Sequence, residues 1–112
     1  MIRILKASAG SGKTYNLAKT YIALLLRSDD RYSYRHILAV TFTNKATDQM
    51  KSRILKELDV LAHEPEKSPY FQEFTKEFGP ADRLRERASR LLTDMLHDYG
   101  SFSVSTIDKF FQ

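Results

Sequence analysis

The sequence predicts an α/β domain built in three layers, with helices on both faces of a parallel β-sheet. Two apolar segments, residues 2–7 and His36–Phe42, have the length of buried strands, and an amphipathic helical pattern lies between them. A strand, a crossover helix and a second strand of these lengths are typical of a right-handed βαβ unit. The alternating segment Phe102–Thr106 adds a third strand to the predicted parallel sheet.

Apolar residues at three- and four-residue intervals predict two long helices in the first half of the chain. The first helix extends over Lys13–Arg27 and ends at the polar residues that follow. The second helix begins after Thr43 or Asn44, either of which can cap a helix, and continues to about Ala62. The residues that define the apolar faces are Leu17, Tyr21, Leu24 and Leu25 in the first helix, and Ala46, Met50, Ile54, Leu58 and Leu61 in the second.

A smaller helical region is predicted before the third strand. Residues 63–69 form a connection, Tyr70–Phe78 forms a short helix, and Pro80 opens another amphipathic helix that ends before Gly100. The chain therefore divides into residues 1–62, with the βαβ unit and the following helix; residues 63–100, a helical insertion; and residues 101–112, the third strand and the start of another helix.

Length and composition limit the class of protein. The 112 residues suffice for one domain, and the absence of cysteine excludes disulfides and thiol catalysis. The longest apolar run, Tyr21–Leu26, is far shorter than the ~20 residues of a membrane span, and no signal-peptide pattern opens the chain. We therefore expect a cytoplasmic protein with no membrane association. The formal charge of +4 suits a polyanionic partner.

The segment Ala7–Thr14, with the sequence ASAGSGKT, matches the phosphate-binding loop of nucleoside triphosphatases, with alanine at the position of the first glycine. Small residues are needed there because several backbone NH groups must converge on one phosphate. We expect Lys13 to reach the β and γ phosphates of a nucleoside triphosphate and the Thr14 hydroxyl to bind Mg²⁺. The alternative is a glycine-rich turn that binds no nucleotide. The residues assigned to the nucleotide are Ala9, Gly10, Ser11, Gly12, Lys13 and Thr14.

The segment Ala39–Ile54, with the sequence AVTFTNKATDQMKSRI, resembles motif Ia of the UvrD/Rep and RecB/AddA-type superfamily 1 helicases. That family also commonly has A-x-A-G-S-G-K-T as its phosphate loop. The resemblance implies a P-loop NTPase (RecA-like) fold, and it implies that the loop after the second strand contacts the backbone of single-stranded DNA. The residues implicated are Thr41, Phe42, Thr43, Asn44 and Lys45. The alternative is that Thr43 and Asn44 only cap a helix and that Phe42 belongs to the core.

The segment Val104–Phe111, with the sequence VSTIDKFF, resembles a later DNA-contacting motif of the same helicases, usually T-[IF]-H-[ST]-F. Asp108 and Lys109 replace the usual histidine and serine. A carboxylate is a poor neighbour for a DNA phosphate, so the candidates for DNA contact are Thr106 and Lys109. The alternative is a buried strand end followed by two core phenylalanines.

The resemblance implies the ATP-binding segment of an ATP-dependent DNA helicase or helicase-nuclease subunit that processes double-strand breaks in bacteria. Its cofactors would be ATP and Mg²⁺, and its partners would be single-stranded DNA or DNA ends, the remaining helicase domains and a nuclease subunit. The apolar strand ending in Asp-Glu that carries hydrolysis in the family is absent from the sequence. We therefore assign no catalytic residue and expect this chain to bind nucleotide without hydrolysing it. The adenine-reading motif is also absent, so we expect ATP and GTP to bind about equally.

Two other functions remain open at this point. A small P-loop kinase would use the same phosphate loop to phosphorylate a metabolite, although the TFTNKA sequence argues against it. A non-catalytic module could use the βαβ unit only to hold a partner protein, and its function would then not depend on Lys13.

Overall fold

The computed structural model describes residues 3–6, 13–41, 43–102 and 104–106. The elements, in chain order, are the strand β1 (Arg3–Lys6), helix α1 (Lys13–Arg27), strand β2 (Ile37–Thr41), helix α2 (Asn44–His63), helix α3 (Phe71–Phe78), helix α4 (Ala81–His97) and strand β3 (Val104–Thr106). Short 3₁₀ turns lie at Ser33–His36, Pro65–Lys67 and Tyr99–Ser101.

The three strands form one sheet in the order β1-β2-β3, and both neighbouring pairs are parallel. The described strands lie within the three segments that the sequence predicts. Ala39 in the middle of β2 is opposite Leu5 on one side and Val104 on the other. Four of the five residues of β2 are buried, which explains why its sequence is nearly continuous in apolar residues.

The prediction of a three-layer P-loop NTPase (RecA-like) sheet domain is wrong for the described residues. Helices of 15, 20, 8 and 17 residues dominate over strands of only 4, 5 and 3 residues. Because the strand order advances in one direction, right-handed crossovers place α1 and the α2–α4 segment on the same face of the sheet. The result is a mainly helical fold on a small sheet, instead of a sheet between two helical layers.

One hydrophobic core joins the helices to each other and to the sheet. Tyr21 and Leu25 of α1, Leu58 of α2 and Leu84 of α4 are buried in the same cluster as Ala39 of β2. The predicted apolar faces account for this packing, because the members of each face recur once per helical turn. Transfer of these side chains from water supplies the main stabilisation of the fold.

The α3–α4 region packs through aromatic and aliphatic side chains on α1 and α2. Gly79 ends α3 with a positive φ of 108°, a conformation that glycine adopts without steric cost, and its NH group donates to the Thr75 carbonyl. Pro80 occupies the cap position before α4, so the helix begins at Ala81, one residue later than predicted. Its fixed φ suits the entry into a helix at Ala81.

The connection between α1 and β2 is tied to α4 by polar contacts. Arg31 donates two hydrogen bonds to the Asp94 carboxylate, at 2.7 and 2.8 Å, and Arg35 donates one to Asp98 at 2.6 Å. The Tyr34 hydroxyl also donates to Asp98, at 2.8 Å. We call these five residues the α4 clamp. The clamp holds the helical region against the amino-terminal end of β2.

None of the helices in the described part of the chain combines the length and the apolar character that a membrane crossing requires.

Candidate functional site

The candidate site lies at the carboxyl edge of the sheet, where all three strands end side by side. In the parallel register, Lys6 at the end of β1 is opposite Val40, and Thr41 at the end of β2 is opposite Thr106. The sequences that follow β1 and β2 are the phosphate-loop segment and the TFTNKA segment. Loops at the carboxyl ends of parallel strands are the usual ligand-binding positions in open α/β sheets.

The phosphate-loop candidates Ala9, Gly10, Ser11 and Gly12 lie outside the described residues. The flanking elements have the expected arrangement, because β1 ends at Lys6 and α1 begins at Lys13. Lys13 and Thr14 are the first two residues of α1. A strand, a six-residue connection and a helix amino terminus fit the backbone requirements of a loop that wraps a phosphate.

Thr41 is buried at the end of β2, with 2% of its surface exposed. Its hydroxyl lies 2.7 Å from the hydroxyl of Thr47, a hydrogen bond in which either group can be the donor, and 3.2 Å from the Thr43 carbonyl oxygen. These contacts join the end of β2 to the first turn of α2. Thr41 therefore contacts the residues that follow β2 from the buried side, away from solvent.

Thr43 caps α2 in the way the sequence allows. Its backbone is extended, and its hydroxyl accepts a hydrogen bond from the Ala46 NH group at 3.0 Å. Asn44 and Lys45 follow as the first two residues of the helix, and all three side chains are exposed. The helix amino terminus adds unpaired NH groups and the positive end of a dipole, both of which favour an anion. This loop can therefore bind a phosphate group.

Thr47 is a site residue that the sequence reasoning missed. Its hydroxyl contacts Thr41 and also donates to the Thr43 carbonyl at 3.1 Å, so it joins the strand end to the helix cap. The signal was the spacing of Thr43 and Thr47, which places a hydroxyl beside the carbonyl one helical turn earlier. We refer to Thr41, Thr43 and Thr47 as the threonine triad.

Three candidates for DNA contact remain, and of these the structure describes only Thr106, which lies at this edge. Thr106 ends β3 directly opposite Thr41. Phe42 and Lys109 lie outside the described residues, and DNA contact and core packing for Phe42 both stay predictions.

Charged groups with perturbed pKa values lie away from this edge. Hydrogen bonds from Tyr34 and Arg35 lower the pKa of the Asp98 carboxyl, and a hydrogen bond from Arg27 lowers that of Glu77. The Asp98 ion pair attaches the end of α4 to the connection before β2, and the Glu77 ion pair attaches α3 to α1. In the described part of the chain, no three carboxylate or imidazole side chains are grouped as metal ligands would be. The magnesium ligand that the sequence suggests, Thr14, would act together with the phosphates of the nucleotide.

Comparison with known protein families gives one match over nearly the whole chain. The family model of the UvrD/REP helicase N-terminal domain matches residues 2–110. The matched range includes the phosphate-loop segment, the TFTNKA segment and all three strands.

Among individual proteins, the chain is similar to RecBCD enzyme subunit RecB of Buchnera aphidicola (subspecies Schizaphis graminum), with 32% identity over 99% of this chain and 10% of the relative. It is also similar to an ATP-dependent helicase/nuclease subunit of Alkaliphilus oremlandii, with 30% identity over 96% of this chain and 8% of the relative. The corresponding helicase/nuclease subunit of Natranaerobius thermophilus shares 39% identity over 56% of this chain and 5% of the relative. The chain thus spans a tenth or less of the length of these proteins. No solved structure matches it.

Proposed function

Because the chain belongs to the UvrD/REP helicase N-terminal domain family, we propose that it is the nucleotide-binding and DNA-binding segment of an ATP-dependent DNA helicase or helicase-nuclease subunit. The observation that supports this function best is the arrangement of the sheet. The segments with the phosphate-loop and TFTNKA sequences leave the same edge from neighbouring strands, β1 and β2. A nucleotide and a DNA strand bound at that edge would be close enough for the state of one to affect the other.

In the proposed nucleotide site, Ala9–Thr14 hold the triphosphate of ATP. Backbone NH groups of the loop and of the first turn of α1 surround the phosphates. Lys13 places a positive charge beside the β and γ phosphates, and the Thr14 hydroxyl binds Mg²⁺. Bound there together with the phosphates, Mg²⁺ would neutralise part of their charge.

In the proposed DNA site, the exposed residues Thr43, Asn44 and Lys45 contact the backbone of a single strand. Hydroxyl and amide groups give hydrogen bonds to phosphate oxygens, and the Lys45 ammonium gives charge attraction that salt weakens. Thr41 and Thr47 keep the loop in shape. Phe42 would stack on a base, and Thr106 and Lys109 would extend the contact from the neighbouring strand β3.

Turnover would require groups that this sequence does not contain, among them the Asp-Glu strand and the arginines that contact the γ phosphate in the helicase family. The proposed role of the 112 residues is therefore binding. The proposed partners that complete the reaction are the remaining helicase domains and a nuclease subunit that acts on DNA ends.

The first experiment is titration of a fluorescent ATP analogue with Mg²⁺ into the wild-type chain, Lys13→Ala and Lys76→Ala. Lys76→Ala removes one positive charge, as Lys13→Ala does. Lys76 is exposed on α3 and remote in sequence from the phosphate loop, so this variant is the control. We expect Lys13→Ala to weaken binding by about tenfold or more, because a charge-assisted contact to phosphate is worth roughly 1.5–3 kcal/mol. Lys76→Ala should bind as wild type does, and GTP should compete about as well as ATP.

Equal binding by wild type and Lys13→Ala would contradict the nucleotide site. A strong preference for ATP over GTP would contradict only the expected lack of base selection. Anisotropy of a labelled single-stranded oligonucleotide tests the DNA site separately. Lys45→Gln should weaken that binding, and an unchanged affinity would count against the proposed contact.

A further inference from the structure

The solvent-facing side of α2 carries a line of residues that can donate hydrogen bonds. Lys45, Gln49, Ser52 and Lys56 are all exposed and follow one another at intervals of four, three and four residues. Residues at this spacing lie above one another along one face of a helix. We call these four residues the α2 stripe. It begins in the proposed DNA-binding loop and leads away from it along the helix.

The stripe borders an open groove of about 480 Å³, whose lining includes Asp48, Gln49, Ser52, Arg53 and Lys56. Three stripe members line this groove, namely Gln49, Ser52 and Lys56. The groove is open, and each described side chain that lines it ends in a polar or charged group, unlike the enclosed apolar pockets that hold small molecules. Its shape suits an extended polar chain.

The balance of charge at the stripe is positive. Lys45 and Lys56 form no ion pair with any described residue, and the exposed carboxylate of Asp59, three residues beyond Lys56, is not part of the groove lining and lies 3.1 Å from the His63 ring nitrogen. Arg53 lies 3.4 Å from the largely buried carboxylate of Glu57 on the same helix. Asp48 is the one carboxylate that borders the groove among the described residues. Two unpaired ammonium groups at the two ends of the stripe therefore outweigh it.

We propose that the α2 stripe is a second contact surface for the nucleic-acid backbone, which continues the DNA path from the loop at Thr43–Lys45 to Lys56. This inference rests on the proposed function, since the strand reaches the stripe from that loop. Lys45 and Lys56 lie about 16 Å apart along the helix axis, at about 1.5 Å per residue, which is long enough for several nucleotides.

The chemistry of the stripe defines how it would bind. Ammonium, amide and hydroxyl groups recognise phosphate and sugar oxygens, and the four residues include no aromatic side chain on which a base could stack. The contact is therefore independent of base sequence, sensitive to salt, and available only to an oligonucleotide long enough to leave the loop.

The test compares two fluorescein-labelled oligothymidines, one of about 5 and one of about 12 nucleotides, within the range of site sizes of single-strand-binding domains. Anisotropy is measured at several salt concentrations with the 112-residue wild-type chain, Lys56→Gln, Lys45→Gln and the control Lys76→Gln. We expect Lys56→Gln to weaken binding of the long oligonucleotide by about three- to tenfold and to reduce the salt slope by about 0.7, the value for one lost phosphate contact to a single strand. Its affinity for the short oligonucleotide should be unchanged.

The outcomes separate the two proposals. If Lys45→Gln weakens binding of both oligonucleotides but Lys56→Gln behaves like Lys76→Gln with the long one, the stripe is refuted and the loop site stands. If Lys56→Gln weakens short and long oligonucleotides equally, the continued path is also refuted. If wild type binds neither oligonucleotide, both the loop site and the stripe are refuted.

Discussion

At the scale of single residues, the threonine triad determines the shape of the proposed DNA-binding loop. Thr41 is buried, Thr43 caps α2, and Thr47 joins the two through its hydroxyl group. Each hydroxyl has a partner within the chain, so the end of β2 and the cap of α2 are joined before any ligand binds. Groups that are already joined lose less conformational entropy on binding than freely moving ones.

The triad gives a prediction for Thr47→Val, which keeps the side-chain shape but removes the hydroxyl. The variant loses the contacts with Thr41 and with the Thr43 carbonyl, so we expect a loss of about 1 kcal/mol in the free energy of unfolding. DNA binding should also weaken, because the loop is no longer held in one shape. Urea denaturation and oligonucleotide anisotropy measure the two effects.

The matched control is Thr75→Val on α3. Thr75 also donates to a carbonyl one turn earlier, that of Phe71, at 3.0 Å, but it lies on α3, outside the loop after β2. The control should leave DNA binding unchanged. The role assigned to the triad would be wrong if both valine variants bound the oligonucleotide as wild type does.

At the scale of elements, the α4 clamp attaches the helical region to the connection between α1 and β2. Asp94 is 7% exposed and accepts both hydrogen bonds from Arg31, whose side chain is half exposed. A buried carboxylate with two charge-assisted bonds stabilises more than a pair of exposed ions, which is screened by water and salt. Asp94 is therefore the central residue of the clamp.

Asp94→Asn tests this attachment. The amide keeps the volume of the carboxylate, but it loses the charge and turns one acceptor into a donor that faces the guanidinium of Arg31. We expect a loss of about 1 to 2 kcal/mol, discounted for the exposure of the arginine. Glu77→Gln, at the exposed pair with Arg27 between α3 and α1, is the comparison and should cost less. Thermal unfolding measures both, and a larger effect at Glu77 would show that the clamp is not the main polar attachment.

The elements differ in how far the sequence could predict them. Both ends of α1 were predicted correctly, because its apolar face repeats regularly and polar residues follow Arg27. The clamp could not be predicted, since Arg31 and Asp94 are 63 residues apart and neither has a local signal. In the candidate site, the cap at Thr43 followed from residue type, whereas the contact between Thr41 and Thr47 required the strand end and the helix to be in place.

At the scale of the whole molecule, the number of layers depends on the direction in which successive crossovers advance across the sheet. A βαβ pattern gives the handedness of each crossover but not the direction in which the strand order advances. The sequence therefore could not show whether helices cover one face of the sheet or both faces. With the order β1-β2-β3, α1 and α2 pack against each other on one face and share their core with α4. Tyr34, from the connection before β2, is fully buried against α4 and so reports on the assembly of this whole helical layer.

Tyr34 leads to a prediction for alkaline solution. Burial, and then the hydrogen bond to Asp98, raise the pKa of its hydroxyl from 10.0 to about 12. The folded state thus holds this proton more tightly than the unfolded chain does. The resulting stabilisation is fully present below about pH 10 and is lost as the pH rises from about 10 to about 12. The free energy of unfolding should therefore fall with increasing pH across this window.

Tyr34→Phe isolates that contribution. The variant should be less stable than wild type at neutral pH, because Asp98 and the Asp94 carbonyl lose a donor. Its stability should then decline less steeply between about pH 10 and 12, because one group that titrates on unfolding is gone. Urea denaturation at closely spaced pH values measures both slopes, with Tyr32→Phe, an exposed tyrosine two residues away, as the control. Parallel declines for wild type and Tyr34→Phe would mean that the Tyr34 proton does not link alkaline pH to the packing of the helical layer.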